Sequence, residues 1–170
     1  MIGNGSIHIS AYAGYIGRII MADNETERKF SVVPNQESIS EVSVFLDNCV
    51  EDFLIPLRTG YSVKVVADEI FSNIVYYSGA ENAEILFRND TDNITLVFED
   101  DGKPYNPLEA EEPDITAGVE DRKIGGLGLF MVKKMAESVR YEYVAGRNQI
   151  TVILSKTAKK KKMTLEDFDL

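Results

Sequence analysis

The sequence predicts an α/β chain of the α+β kind, a two-layer sandwich with a mixed, mostly antiparallel sheet covered on one face by about three helices. Three observations predict it. Apolar residues recur at helical spacing in three stretches, near 39–53, 61–77 and 127–137. Strand-like runs precede, separate and follow these stretches, and four of them fall into two hairpin-like pairs. The last helical stretch opens on Gly125-Gly126-Leu127-Gly128, three glycines in four residues. Glycine lets backbone approach a ligand closely, and the helix behind it offers unpaired N–H groups with a partial positive charge. Together they make a phosphate cradle.

Composition narrows the function. At 170 residues the chain is long enough for one domain with its own core. A formal net charge of -10 opposes a general nucleic-acid binder, which needs a basic face. Cys49 is the only cysteine and His8 the only histidine. That excludes an internal disulfide framework, a cysteine metal site and, apart from the start of the chain, a His-Asp-Ser triad. No apolar run reaches the roughly 18 residues of a membrane span, and the start lacks the basic region of a secretory signal. A cytoplasmic location is expected.

Residues 1–26 read as an N-terminal extension outside the core, with a short apolar patch at Ile16, Ile19 and Ile20 and with Met21 as an alternative start. Residues 27–156 are the domain. Glu27-Arg28-Lys29-Phe30-Ser31-Val32-Val33 is a strand closed by Pro34. Asn35 can cap the helix on which Ile39, Val42, Phe45, Leu46, Cys49, Val50 and Phe53 repeat. Cys49 lies on that stripe and reads as a small buried hydrophobe rather than a reactive thiol. Pro56 and Gly60 break the helix. A second helix covers about 61–77 and stops at Ser78-Gly79. Strands at 83–89 and 93–99 flank the turn Asp90-Thr91-Asp92. A long acidic loop, punctuated by Pro104, Pro107, Pro113 and Gly118, runs to Ile124; loops of such length are usually functional or disordered. After the third helix, strands at 138–144 and 149–154 close on a Gly146-Arg147-Asn148 turn. Residues 157–170 form a charged tail, lysine-rich and then acidic.

The chemistry gathers on the second helix. Val63, Val66, Ile70, Ile74 and Tyr77 form a stripe with Asn73 expected in its middle and Glu69 at its edge, while Asp68 points to solvent. An acid and an amide on a core-facing stripe need partners, which an internal hydrogen-bond network or a ligand could supply. An asparagine oxygen suits Mg2+, and a carboxylate one turn away could deprotonate an attacking hydroxyl. Asp100-Asp101-Gly102 ends a strand and reads either as an ordinary turn or as a carboxylate facing the exocyclic amine of adenine.

In this order the motifs resemble the Bergerat (GHKL) ATP-binding fold shared by histidine kinases, gyrase, Hsp90 and MutL, over about 30–156. Glu69-Ile70-Phe71-Ser72-Asn73 looks like its N box, Asp100-Asp101-Gly102 its first glycine box and Gly126-Leu127-Gly128-Leu129 its second. Within that superfamily the chain is most similar to stand-alone anti-sigma-factor serine/threonine kinases. The hints are Pro104-Tyr105-Asn106-Pro107-Leu108, Asp121-Arg122-Lys123-Ile124, Val139-Arg140-Tyr141-Glu142-Tyr143 and Gly146-Arg147-Asn148.

The resemblance implies ATP and Mg2+ as cofactors, with Glu69 as catalytic base and Asn73 as metal ligand. It implies Asp100 and Gly102 at the adenine, Gly126, Leu127 and Gly128 at the phosphates, Arg122 and Lys123 as lid cations, and Thr151 as a hydroxyl near the base. Pro104 stands where many members have a second glycine, which implies a stiffer lid hinge. The implied function is a kinase that phosphorylates a STAS-domain anti-anti-sigma protein and binds a sigma factor or equivalent target in transcription regulation. A PP2C-type phosphatase in the same pathway, a homodimer, and no direct nucleic-acid contact are implied with it. Two alternatives stay open: a non-catalytic nucleotide-binding switch, and a detached histidine-kinase catalytic domain, which would need a separate phospho-accepting partner.

Overall fold

Strands β1 (Arg18–Met21), β2 (Glu27–Val32), β3 (Ala83–Asn89), β4 (Asn93–Asp100), β5 (Ser138–Val144) and β6 (Arg147–Ser155) form one sheet in the order β1-β2-β3-β4-β6-β5. The computed structural model describes residues 18–21, 26–109 and 127–157. Every pairing is antiparallel, so the mostly antiparallel sheet expected from the sequence holds no parallel pair among the described residues. Two helices rather than one lie between β2 and β3, so the chain re-enters the sheet running opposite to β2. Strands β4 and β5 run parallel to one another, with β6 inserted between them and antiparallel to both. Within the expected N-terminal extension, Arg18–Met21 pairs with β2 from Arg18 opposite Ser31 to Met21 opposite Arg28. A four-residue edge strand has too few positions to show a period, so no alternation is legible there.

Helix α1 (Gln36–Asp52) begins as expected. The Asn35 side chain accepts from the Ser38 N–H at 2.9 Å, and the Ser38 hydroxyl accepts from the Asn35 N–H at 2.9 Å. This reciprocal cap satisfies two otherwise orphaned donors and contributes on the order of 1 kcal/mol. Val42, Phe45, Leu46 and Cys49 are buried, and Phe45 stacks on Phe30 of β2 with centroids 5.2 Å apart. Helix α2 (Leu57–Asn73) starts directly behind Pro56, four residues earlier than expected. Gly60 therefore lies inside its first turn and does not break anything. A Cβ there would stand 2.9 Å from Val50 Cγ1, so glycine is what lets α2 close on α1. After Asn73 the ladder widens into a π-helical turn, Ile74–Ser78. Helix α3 is Leu127–Met135 and a 3-10 turn lies at Pro107–Glu109; most of the expected long acidic loop, 110–126, lies outside the described residues.

All three helices pack on one sheet face. Along β4 and β6 the even-numbered residues are buried and the odd-numbered ones are half-exposed. The core is Phe71, Phe87, Phe98, Leu46, Ile70, Ile85 and their neighbours. Cys49 is fully buried, and burial pushes its thiol up to about 12 against the opposing pull of Arg28. A disulfide exchange reagent at pH 8 should leave the native protein unmodified and titrate one thiol per chain in denaturant. Rapid native-state labelling would contradict this packing.

Candidate functional site

The end of α2, the junction of β4 with β6 and the start of α3 meet at one end of the sheet. Helix α2 presents its polar residues differently from the sequence expectation. Val63, Val66, Ile70 and Ile74 are buried, but Tyr77 is 76% exposed. Thr59, Gly60, Ala67 and Phe71 are buried as well. Gly60, Ala67 and Phe71 widen the apolar stripe on the side away from Asn73, so its centre shifts. Asn73 is consequently exposed at the edge of the stripe, not in its middle, and Glu69 is half-buried beside it on the same flank. Exposure removes the desolvation cost expected at Asn73. An open amide oxygen is also a better donor to a cation that keeps several waters.

Glu69 meets α3. A Cβ placed on Gly128 would overlap the Glu69 carboxylate, with Oε1 at 2.9 Å. Gly128 is the second residue of α3, in the turn whose N–H groups have no intrahelical acceptors and carry the positive end of the helix dipole. Glycine there lets the carboxylate come against that backbone.

Asp100 closes β4 with its side chain on the helix face, 4% exposed. Its Oδ1 accepts from the Gly102 N–H at 2.9 Å and from Asn148 Nδ2 at 3.0 Å. A Cβ on Gly102 would lie 2.6 Å from the Ser78 carbonyl oxygen and 2.7 Å from Asp100 Oδ1, so no other residue fits. The Lys103 N–H donates to that same Ser78 carbonyl at 3.0 Å, tying the strand exit to the end of the π-helical turn. Asp101 faces the other way. Its Oδ1 accepts from the N–H groups of Glu81 and Asn82 at 2.8 and 2.9 Å, and its Oδ2 from Asn82 Nδ2 at 2.7 Å. These bonds, the Asn82 side chain foremost, hold its carboxyl below the usual range.

Asn148 is a site residue that the motifs do not mark. The sequence places it in a turn with Gly146 and Arg147. The turn is instead the pair Ala145-Gly146, both at positive φ of 52° and 82°, as a two-residue hairpin loop requires. Strand β6 therefore starts at Arg147, and Asn148 stands opposite Asp100 on the core-facing side. Its Nδ2 also donates to the Lys103 carbonyl at 3.0 Å, and its Oδ1 accepts from the Tyr105 N–H at 3.1 Å and the Tyr141 hydroxyl at 2.8 Å. The signal that could have found it is parity: Asn148 continues the alternation of Ile150, Val152 and Leu154.

The structure thus brings Glu69 against Gly128, with Asn73 one turn along the same helix, and brings Asp100 and Gly102 together at the end of β4. Thr151 is not brought to them. It pairs with Val97 and Arg140 and alternates onto the sheet face opposite Asp100. Leu127 opens α3. Arg122, Lys123 and Gly126 lie outside the described residues. Among the described residues no group of three histidine, cysteine or acidic side chains could cage a metal. A divalent ion would have to be shared between Asn73 and a ligand's own oxygens, as Mg2+ is with nucleotide phosphates. At Gly102 the space a side chain would take is filled by the Ser78 carbonyl and Asp100 Oδ1, and at Gly128 by the Glu69 carboxylate.

Among characterised proteins, the chain is 24% identical to the serine/threonine-protein kinase BtrW of Bordetella bronchiseptica over 99 residues, 56% of this chain and 70% of that one. It also superposes on the catalytic domain of histidine kinase ThkA in a nucleotide-free form, with TM-score 0.44 and 16% identity, covering 75% of this chain and 99% of that one. The family model of the histidine kinase-like ATPase domain matches residues 32–154. That match runs from the last residue of β2 nearly to the end of β6 and takes in Glu69, Asn73, Asp100, Gly102, Gly128 and Asn148, so the chain belongs to the histidine kinase-like ATPase domain family.

Proposed function

We propose that this chain is an ATP-dependent protein kinase of the anti-sigma-factor type, which phosphorylates a serine or threonine of a STAS-domain protein. The observation that carries the reading is the placement of Glu69 against the first turn of α3, with the open amide of Asn73 one helical turn away on the same flank. Asp100 and Gly102 receive the adenine at the far end of the site. The first turn of α3, with Gly126 and Leu127 before Gly128, receives the phosphates. Arg122 and Lys123 supply positive charge to the γ-phosphate. Asn73 holds Mg2+, which neutralises charge on the phosphate oxygens when bound.

Phosphoryl transfer asks the protein for positioning and electrostatics rather than covalent chemistry. Glu69 accepts the proton of the attacking serine hydroxyl, the hydroxyl oxygen takes the γ-phosphoryl group, and ADP departs with its β-phosphate oxygen. The kinase named in Bordetella supports this assignment, as does the resemblance of the motifs. A partner-switching role follows from the same likeness: a homodimer that binds a sigma factor or equivalent target, with a PP2C-type phosphatase reversing the modification. No helix among the described residues is long and apolar enough to cross a membrane.

The test is direct. The purified chain with labelled ATP, Mg2+ and the STAS protein encoded nearest to it should transfer one phosphate per acceptor, and chelation of Mg2+ should abolish transfer. ATP binding without transfer to any STAS acceptor would favour the non-catalytic switch, which Asn73 and Asp100 would serve equally well.

A further inference from the structure

We propose that Asn148 is a positioning residue for base selection: its side-chain amide locks the Asp100 carboxylate and the exit of β4 into the one arrangement that reads a 6-aminopurine. The inference rests on the ATP reading above and extends it to a residue outside the motifs.

The chemistry of the amide carries the argument. An asparagine side chain has two N–H donors and an oxygen with two lone pairs. At Asn148 all four are used within the described residues. Nδ2 donates to Asp100 Oδ1 and to the Lys103 carbonyl, both at 3.0 Å, and a longer contact of 3.5 Å reaches the Gly102 carbonyl. Oδ1 accepts from the Tyr105 N–H and the Tyr141 hydroxyl. The two ends of the amide are thereby told apart, because swapping them would set the oxygen against Asp100 and the Lys103 carbonyl. Asn148 is 4% exposed, so these bonds are shielded from water and losing one is costly.

What the knot fixes is Asp100. Both hydrogen bonds that the described residues give this carboxylate, from Gly102 and Asn148, arrive at Oδ1. Its orientation is set by that oxygen, and Oδ2 is the acceptor left for a ligand N–H. An oriented acceptor prefers the 6-amino group of adenine over the 6-oxo group of inosine or guanine, whose oxygen would face the carboxylate. The same amide holds Lys103 and Tyr105 on either side of Pro104, so the strand exit beside the base is fixed with it. Aspartate in place of Asn148 has no donor, and threonine has one where two are used.

Calorimetric titration of the full chain with ATP, ITP and inorganic tripolyphosphate, each with Mg2+, tests the proposal. The unsubstituted protein should prefer ATP to ITP. Asn148→Ala should weaken ATP binding by about tenfold or more, the loss expected when a buried carboxylate is released, and bring the ATP-to-ITP ratio towards one. Tripolyphosphate, which has no base, should bind within about twofold of the unsubstituted protein. Tyr141→Phe removes one hydroxyl from the knot with little change of shape and should lower the ratio by about threefold, which decides the matter if Asn148→Ala does not fold. Ratios unchanged in both variants, or tripolyphosphate weakened in step with ATP, would overturn the role of Asn148. An unsubstituted protein that binds no ATP would instead overturn the nucleotide reading itself.

Discussion

Gly128→Val is expected to abolish nucleotide binding while lowering the melting temperature by only about 2–4 °C, the shift for about 1 kcal/mol in a chain of this size, because what it meets is the end of a flexible side chain. The reason is steric and local. Even the Cβ of alanine would overlap the Glu69 carboxylate, and valine adds two methyl groups at the same place. The Glu69 carboxylate must swing aside, and the valine methyl groups then cover the backbone N–H groups that, on the nucleotide reading, receive the phosphates. Calorimetry with ATP and a thermal melt would measure both effects. Gly146→Ala is the control. Gly146 sits at the hairpin tip, where an added Cβ would meet nothing within 4 Å, and its φ of 82° makes alanine strained but not obstructed. That variant should lose about 1 kcal/mol and keep its ATP affinity. The contact itself can be isolated by a double-mutant cycle. Gly128→Ala should be less destabilising in a Glu69→Ala background, where the carboxylate is absent, and strict additivity would refute the packing described for α2 and α3.

Much of the sheet is legible in the sequence because its strands alternate cleanly. Ala83–Asn89 forms where expected, and the capped start of α1 follows from Asn35 and the apolar period behind it. The features that escape a linear reading are those whose signal is relational. Gly60 reads as a breaker in one dimension, and its role appears only where Val50 of the neighbouring helix approaches it. The apolar pattern puts Asn73 in the core stripe because Gly60 and Ala67, which extend it on the far side, carry little hydrophobic weight and do not register as members of it. The two-residue turn is hard to read because glycine and asparagine both favour turns, and Ala145 at positive φ does not.

That turn has the largest consequence for the site. A strand register fixes which side chains share a face, and starting β6 two residues late hides Asn148 in a loop. The motif residues Glu69, Asp100 and Gly128 are legible because their chemistry or their lack of a side chain is unusual in context. Asn148 and Tyr141 are not, since their importance lies in what they hold. Sequence motifs mark the groups that would touch a ligand; the groups that orient them emerge from pairing and burial.

Glu69→Gln should separate catalysis from binding more sharply than any other substitution. On the kinase reading the carboxylate accepts the hydroxyl proton, and an amide cannot, so phosphoryl transfer should fall by about 10²–10⁴-fold. Glutamine keeps the length and planarity that fit against Gly128, so α3 should stay in place and the melting temperature should hold. The same change removes a negative charge from beside the turn that receives the phosphates. Two like charges about 4 Å apart in a water-rich site repel by about 1 kcal/mol, so ATP should bind up to about fivefold tighter. Transfer and affinity therefore move in opposite directions. A loss of folding would lower both, and a purely structural glutamate would leave transfer intact. Single-turnover transfer to the acceptor protein, measured beside ATP affinity, reads the two together. If Glu69→Gln transfers phosphate at the unsubstituted rate, Glu69 is not the base and the kinase mechanism proposed here fails.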